Sequence, residues 1–177
     1  SILDVMNNII TGSGGAGVAV QSLASGVTVL GNTFGGNLRG SIDHDADSMD
    51  PELNGAGDGV SPNDGLNGGA GEGQDYRVFL VAETVGSSVH VEGFVGLAAA
   101  PSGSGLDVEV YLASDDGNQS GEVELGDGLS LPHGEGVQWL GACTTDAGGS
   151  FVCDLALPAG VVLSAGDEVT ATATGTS

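Results

Sequence analysis

Aspartates recur at positions 43, 45, 47 and 50, and Asp58 and Asp64 follow close behind. Carboxylates so spaced can turn toward one hard cation, and calcium accepts about six to eight oxygens in a flexible geometry that also uses backbone carbonyls. Glycine-rich turns expose such carbonyls, so Asp43, Asp45, Asp47, Asp50, Asp58 and Asp64 form a candidate Ca2+ set. The full EF-hand loop is absent, since no glycine stands sixth from Asp43 and Asn54 stands twelfth. A solvated acidic loop is the competing reading. Asp115, Asp116 and Asp127 mark a weaker second acidic stretch.

Cys143 and Cys153 flank the stretch from Thr145 to Ser150. A hairpin centred on Gly148 sets them opposite each other and pairs Gly141 with Leu155 and Trp139 with Leu157. Directly opposed positions on antiparallel strands come within range of a disulfide, so a cross-strand bond is expected. Such a bond fits an oxidising, extracytoplasmic compartment. Two reduced core cysteines are the alternative.

No catalytic set can be assembled. His44, His90 and His133 are too scattered for a zinc site, and His90 with Glu92 reads as a surface pair on a strand. Serine is too abundant for a Ser-His-Asp reading to carry information. Paired carboxylates can hydrolyse a glycosidic bond, but among Asp+Glu 24 any chosen pair is arbitrary. Trp139 could stack on a sugar, yet its alternation with Val137 and Gly141 favours a core or half-buried position. The expectation is a protein that is not an enzyme.

The charge excludes whole classes of partner. Lys+Arg 2 against Asp+Glu 24 gives a formal net charge of -22, and the two cations are Arg39 and Arg77. A polyanion such as nucleic acid is bound by counterion release to Lys and Arg, and this surface repels it. An anionic membrane surface is excluded on the same ground, and no apolar run approaches the roughly 20 residues of a membrane span. The acidity fits either adaptation to high salt or a cation-organising surface. A chain opening at Ser1 without a charged leader is expected to be mature or cut from something longer.

The elements that must position these residues are strands. Val5-Met6-Asn7-Asn8-Ile9-Ile10-Thr11-Gly12 aligns with Val29-Leu30-Gly31-Asn32-Thr33-Phe34-Gly35-Gly36, and Asn8 to Asn32 sets a period of 24. Gly17-Val18-Ala19-Val20 lies between the copies as a further short strand. Residues 1–37 thus resemble the right-handed parallel β-helix repeat of bacterial surface proteins and polysaccharide-acting enzymes. Solenoid repeats need about three neighbours for stability, so so few rungs cannot bury their own walls. Ile2, Leu3, Val5, Ile9, Val18, Val20, Val27 and Val29 are therefore candidate assembly residues, covered either by further coils ahead of Ser1 or by strand or rung stacking with a neighbouring subunit, a homo-oligomer.

Residues 38–75 read as an Asp/Gly-rich connector without strand periodicity. From residue 76 alternation is regular: Leu106, Val108, Val110 and Leu112 point one way and Asp107, Glu109 and Tyr111 the other, the pattern of a strand with one buried face. Val89, Val91, Val95 and Leu97 behave likewise, as do Val169, Ala171 and Ala173 near the end. Five to seven such strands over residues 76–177 suggest a β-sandwich. Asp58 to Asp64, Gly134 to Gly141, Thr144 to Phe151 and Gly166 to Ala173, in that order, resemble the immunoglobulin-like module that follows parallel β-helices in large bacterial surface proteins. Arg77 after Tyr76 departs from the proline often found there.

The fold class expected is all-β: terminal rungs of a right-handed parallel β-helix followed by an immunoglobulin-like β-sandwich. The resemblance implies an extracellular or cell-surface setting and a structural role, a surface or filament-forming subunit. The alternatives are an adhesin or carbohydrate-binding module recognising a glycan or surface protein, or the accessory tail of a polysaccharide-degrading β-helix enzyme. A lyase of that kind wants a basic residue near an acidic sugar, for which Arg39 and Arg77 are thin resources.

Overall fold

The computed structural model describes residues 3–20, 27–37, 41–44, 77–97, 100–101, 103–114 and 135–175. Among these the protein is all-β. Six short strands come first: β1 (Leu3–Met6), β2 (Ile9–Thr11), β3 (Val18–Val20), β4 (Val27–Leu30), β5 (Thr33–Gly35) and β6 (Ile42–His44). They pair in parallel as β1 with β4, β2 with β5 and β3 with β6. Each pair has the same offset, with Leu3 beside Val27, Ile9 beside Thr33 and Val18 beside Ile42. Strands β1 to β3 thus form one layer and β4 to β6 a second, residue for residue 24 positions on.

The local sequence permits this stacking at its corners. Asn7 leaves β1 with φ 56° and its counterpart Gly31 leaves β4 with φ 63°. Asparagine and glycine are the residues that accept this left-handed backbone at least cost. Alternation along the strands then turns Val29, Phe34 and Val20 inward, where they are buried with Ala16.

Strand β6 falls inside the segment expected to be a connector without strands. Ile42-Asp43-His44 carries no apolar alternation to announce it. Its pairing to β3 is a backbone matter, continued by the Val18 amide donating to the Ser41 carbonyl at 2.9 Å.

Seven further strands are described: β7 (Arg77–Val85), β8 (Ser88–Leu97), β9 (Ala100–Pro101), β10 (Leu106–Ser114), β11 (Glu135–Thr144), β12 (Ser150–Ala156) and β13 (Val169–Gly175). One antiparallel sheet runs β11-β10-β13 and the other β12-β8-β7, with β9 on β8. The two share one core, to which Val108, Val110, Leu140 and Ala173 come from the first sheet and Val89, Val91, Val95, Phe151 and Leu155 from the second.

Cys143 and Cys153 form a disulfide with Cα atoms 6.3 Å apart, but not across a hairpin. Strands β11 and β12 belong to different sheets, so Trp139 does not pair with Leu157. Residues 145–149 instead carry the chain from one sheet to the other. Asp146 holds this crossing: its Oδ1 accepts from the Gly148 amide at 2.7 Å and the Ser150 amide at 3.0 Å. Gly141 and Leu155 do face each other, across the core rather than along a ladder; a Cβ on Gly141 would sit 3.1 Å from that of Leu155.

Trp139 differs from expectation for a related reason. Val110 pairs with Gly141 and Tyr111 with Trp139, so Leu140 is skipped in a bulge. The extra residue breaks the alternation; Leu140 becomes fully buried and Trp139 is 39% exposed.

Candidate functional site

The second layer rests on the face of β10, β11 and β13 that points away from the shared core. Glu109 and Tyr111 on β10 were expected to face solvent. Both are buried, because that face is covered by the layer. The Thr174 hydroxyl of β13 donates to the Val29 carbonyl at 3.5 Å, and the Gly136 amide of β11 donates to Ser41 Oγ at 3.3 Å.

Contacts between the two layers establish a pattern. The first layer donates and the second accepts at the corners: Asn7 N to Leu30 O at 3.1 Å, and Asn8 N to Asn32 Oδ1 at 2.9 Å. Asn32 Nδ2 returns a hydrogen bond to Val5 O at 2.7 Å. The next corner repeats this with Ser13 N to Asn37 Oδ1 at 3.0 Å and Asn37 Nδ2 to Ile10 O at 3.0 Å. Asn32 and Asn37 are almost wholly buried, so a partner for each polar atom is obligatory.

On the far side of the second layer the sheet pair supplies the missing acceptors. Gly31 N, the counterpart of Asn7 N, donates to Glu109 Oε2 at 2.8 Å. Asn37 N, the counterpart of Ser13 N, donates to both Glu135 oxygens at 3.1 Å, and Asn37 Nδ2 adds a bond to Glu135 Oε1 at 2.7 Å. Two carboxylates thus occupy the places that a third layer's Leu30-like carbonyl and Asn37-like side chain would fill. A carboxylate suits this work because it only accepts and its bonds to N–H groups are charge-assisted. The Tyr111 hydroxyl donates to Glu109 Oε2 at 2.9 Å, and burial, with the adjacent Glu109 charge, pushes its ionisation far above the ordinary range.

No protein-family model, no curated protein and no solved structure matches the chain.

The candidate assembly residues divide. Val20 and Val29 are consumed inside the stack, and Val5, Val18 and Val27 are half-buried. Leu3 and Ile9 remain open, 57% and 80% exposed. Of the candidate calcium ligands, Asp43 lies in β6 beside Ala19. Asp45, Asp47, Asp50, Asp58, Asp64 and Ile2 lie outside the described residues. His90 is paired with Glu92 at 3.0 Å and also with Asp154 of β12 at 2.7 Å.

Sequence reasoning missed Glu109, Glu135 and Asn37. In a chain with this many acids no single glutamate stands out. The usable signal was Tyr111, a large aromatic sharing the supposedly solvated face of β10 with Glu109, which marks that face as covered.

Proposed function

We propose that this chain is a non-enzymatic, extracellular structural protein, in which an immunoglobulin-like sandwich closes one end of a right-handed parallel β-helix. The observation that carries this reading is the substitution of Glu109 and Glu135 for the acceptors of a further layer. A solenoid end otherwise leaves unpaired backbone and an apolar cross-section, and a dedicated cap relieves both. The disulfide supports an oxidising setting, and the net charge of -22 supports a highly solvated surface.

A head-to-tail fibre of such subunits needs both ends of the stack free. Here the sheet pair lies on one of them, which favours a terminating unit over a filament repeat. Hydrogen exchange tests the proposal. In Glu109→Ala/Glu135→Ala protein the Gly31 and Asn37 amides should exchange as freely as exposed ones while β10 and β11 stay protected. Unchanged protection of those two amides would remove the basis for a capping role.

One observation favours the adhesin alternative as a second reading. Trp139, exposed by the bulge at Leu140, is available for stacking on a sugar ring. Glycan binding that Trp139→Ala abolishes would support it.

A further inference from the structure

We infer that the face of the first layer that no described residue covers is a seat for one more layer of the same 24-residue repeat, joined ahead of Leu3. The inference rests on the reading of the stack as a parallel β-helix. Each residue from Leu3 to Thr11 is more exposed than its counterpart 24 positions on: Val5 is half-buried where Val29 is buried, and Ile10 is half-buried where Phe34 is buried. Asn8 is exposed where Asn32 is buried. The deficit follows the layer and not the residue types, so it marks a side from which neighbouring atoms are missing.

The chemistry of that side names what fits it. To the first layer, the second presents the Leu30 carbonyl, the Asn32 side-chain amide and the wall residues Val27 and Val29. On its own open side the first layer carries the Met6 carbonyl, the Asn8 side-chain amide and the wall residues Leu3 and Val5, at the same register positions. The open face is thus a second edition of a surface this chain already covers with a layer of its own making. Asn8 Nδ2 donates to Met6 O at 3.0 Å as Asn32 Nδ2 donates to Leu30 O at 3.2 Å, and it also reaches Asn32 Oδ1 at 3.1 Å.

Among the described residues, the matching underside is already occupied in every molecule. In each molecule that side of the first layer is on the second layer, and that side of the second is on Glu109 and Glu135. The occupant is therefore a polypeptide layer in the same chain direction, with apolar residues aligned to Leu3, Val5 and Ile10 and asparagine aligned to Asn8. It enters β1 as the existing first layer enters β4.

The test is to fuse a duplicate of residues 1–24 ahead of Ser1, with a scrambled 24-residue segment as the control. The duplicate should resist a protease that removes the scrambled segment, and exchange at the Ile9 amide should slow by roughly tenfold or more. Asn8→Ala in the fused protein should reverse that slowing. A duplicate digested as fast as the scrambled segment, on a body that stays folded, overturns the inference. So does a native dimer that Leu3→Asp and Ile9→Asp dissolve, since the face would then belong to a second molecule. Protection at Gly31 and Asn37 reports separately on the cap, so a failed seat and a failed cap give different patterns.

Discussion

The Gly31 amide meets Glu109 Oε2 at 2.8 Å, in the place where one layer earlier the Asn7 amide meets the Leu30 carbonyl at 3.1 Å. A side chain from a residue 78 positions away thus reproduces a backbone acceptor of the repeat. Glu109 is held there by the Tyr111 hydroxyl, and Glu135 serves Asn37 in the same manner. Glu135→Ala strips the acceptor from the buried Asn37 amide and side chain, and should destabilise the protein by about 2–4 kcal/mol, from hydrogen bonds to charge of about 1.5–3 kcal/mol each partly re-formed with water. Glu135→Gln keeps one acceptor oxygen and should lose less than half as much. Urea unfolding of the three proteins measures the order, and equal loss in both variants would show that one retained acceptor oxygen contributes nothing and that only the full carboxylate serves Asn37.

Asn32 joins the two layers through both ends of its amide. Its Oδ1 accepts from Asn8 N and its Nδ2 donates to Val5 O and Leu30 O. Asn32→Leu is close in volume but leaves buried donors and acceptors without partners, each costing about 1–3 kcal/mol. The expected outcome is a loss of about 3 kcal/mol, with β1 and β2 exchanging their amides freely and the sheet pair still protected. Asn8→Leu, at the exposed counterpart, should cost under about 1 kcal/mol. The contrast between two asparagines one repeat apart is the measurement.

Gly17 lies against the Phe34 ring, and a Cβ there would stand 2.7 Å from Phe34 Cδ1 and 2.7 Å from the Ser41 carbonyl. The carbonyl is tied to Val18 and cannot retreat easily. Gly17→Ala should therefore cost about 1–3 kcal/mol by overpacking. Pairing it with Phe34→Leu should recover part of that loss, which a thermal-unfolding double-mutant cycle reads as a favourable coupling.

The 24-residue period was legible because Asn8 and Asn32 sit in aligned phrases, and asparagine recurs where a side chain must bridge layers. Strand β6 was not legible, since stacking through backbone hydrogen bonds asks nothing of Asp43 or His44. The two faces of β10 show the limit of alternation. Val108 and Val110 announced a buried face, but burial of Glu109 and Tyr111 depends on a layer more than 70 residues distant. For Cys143 and Cys153, symmetry about Gly148 found the bond and misplaced its geometry. An antiparallel ladder and a crossing between sheets bring two such residues equally close. Trp139 was misread because a bulge at Leu140 leaves no mark in the residue pattern.

His90 sits between Glu92 and Asp154, with Glu83 at its register position on β7. Hydrogen bonds to Glu92 and then to Asp154 raise its pKa above the ordinary histidine value of 6.5. A raised folded-state pKa means that protonated His90 stabilises the fold fully below the unfolded value and that the contribution fades as pH rises through the folded value. The stability difference between the native protein and His90→Gln should accordingly narrow as pH rises above about 6.5. An NMR titration should place His90 above 6.5, and Asp154→Asn or Glu92→Gln should bring it down. A titration at or below 6.5 would sink the assignment of both carboxylates as partners.

The disulfide ties sheet to sheet where no backbone ladder joins β11 to β12. Reduction of a hairpin bond would leave paired strands behind. Here it leaves the crossing held by Asp146 and the apolar contacts of Phe151, Leu155 and Leu140. Cys143→Ala/Cys153→Ala should lose about 2–3 kcal/mol, the chain-entropy value for a loop this short. Because the missing constraint is between sheets, the loss should appear as earlier exchange throughout β12 and its partner β8, with the β10–β11 ladder opening only in global unfolding. Hydrogen exchange under native conditions separates the two patterns. Loss confined to residues 144–150 would mean that the bond braces the crossing alone and not the packing of the sheets.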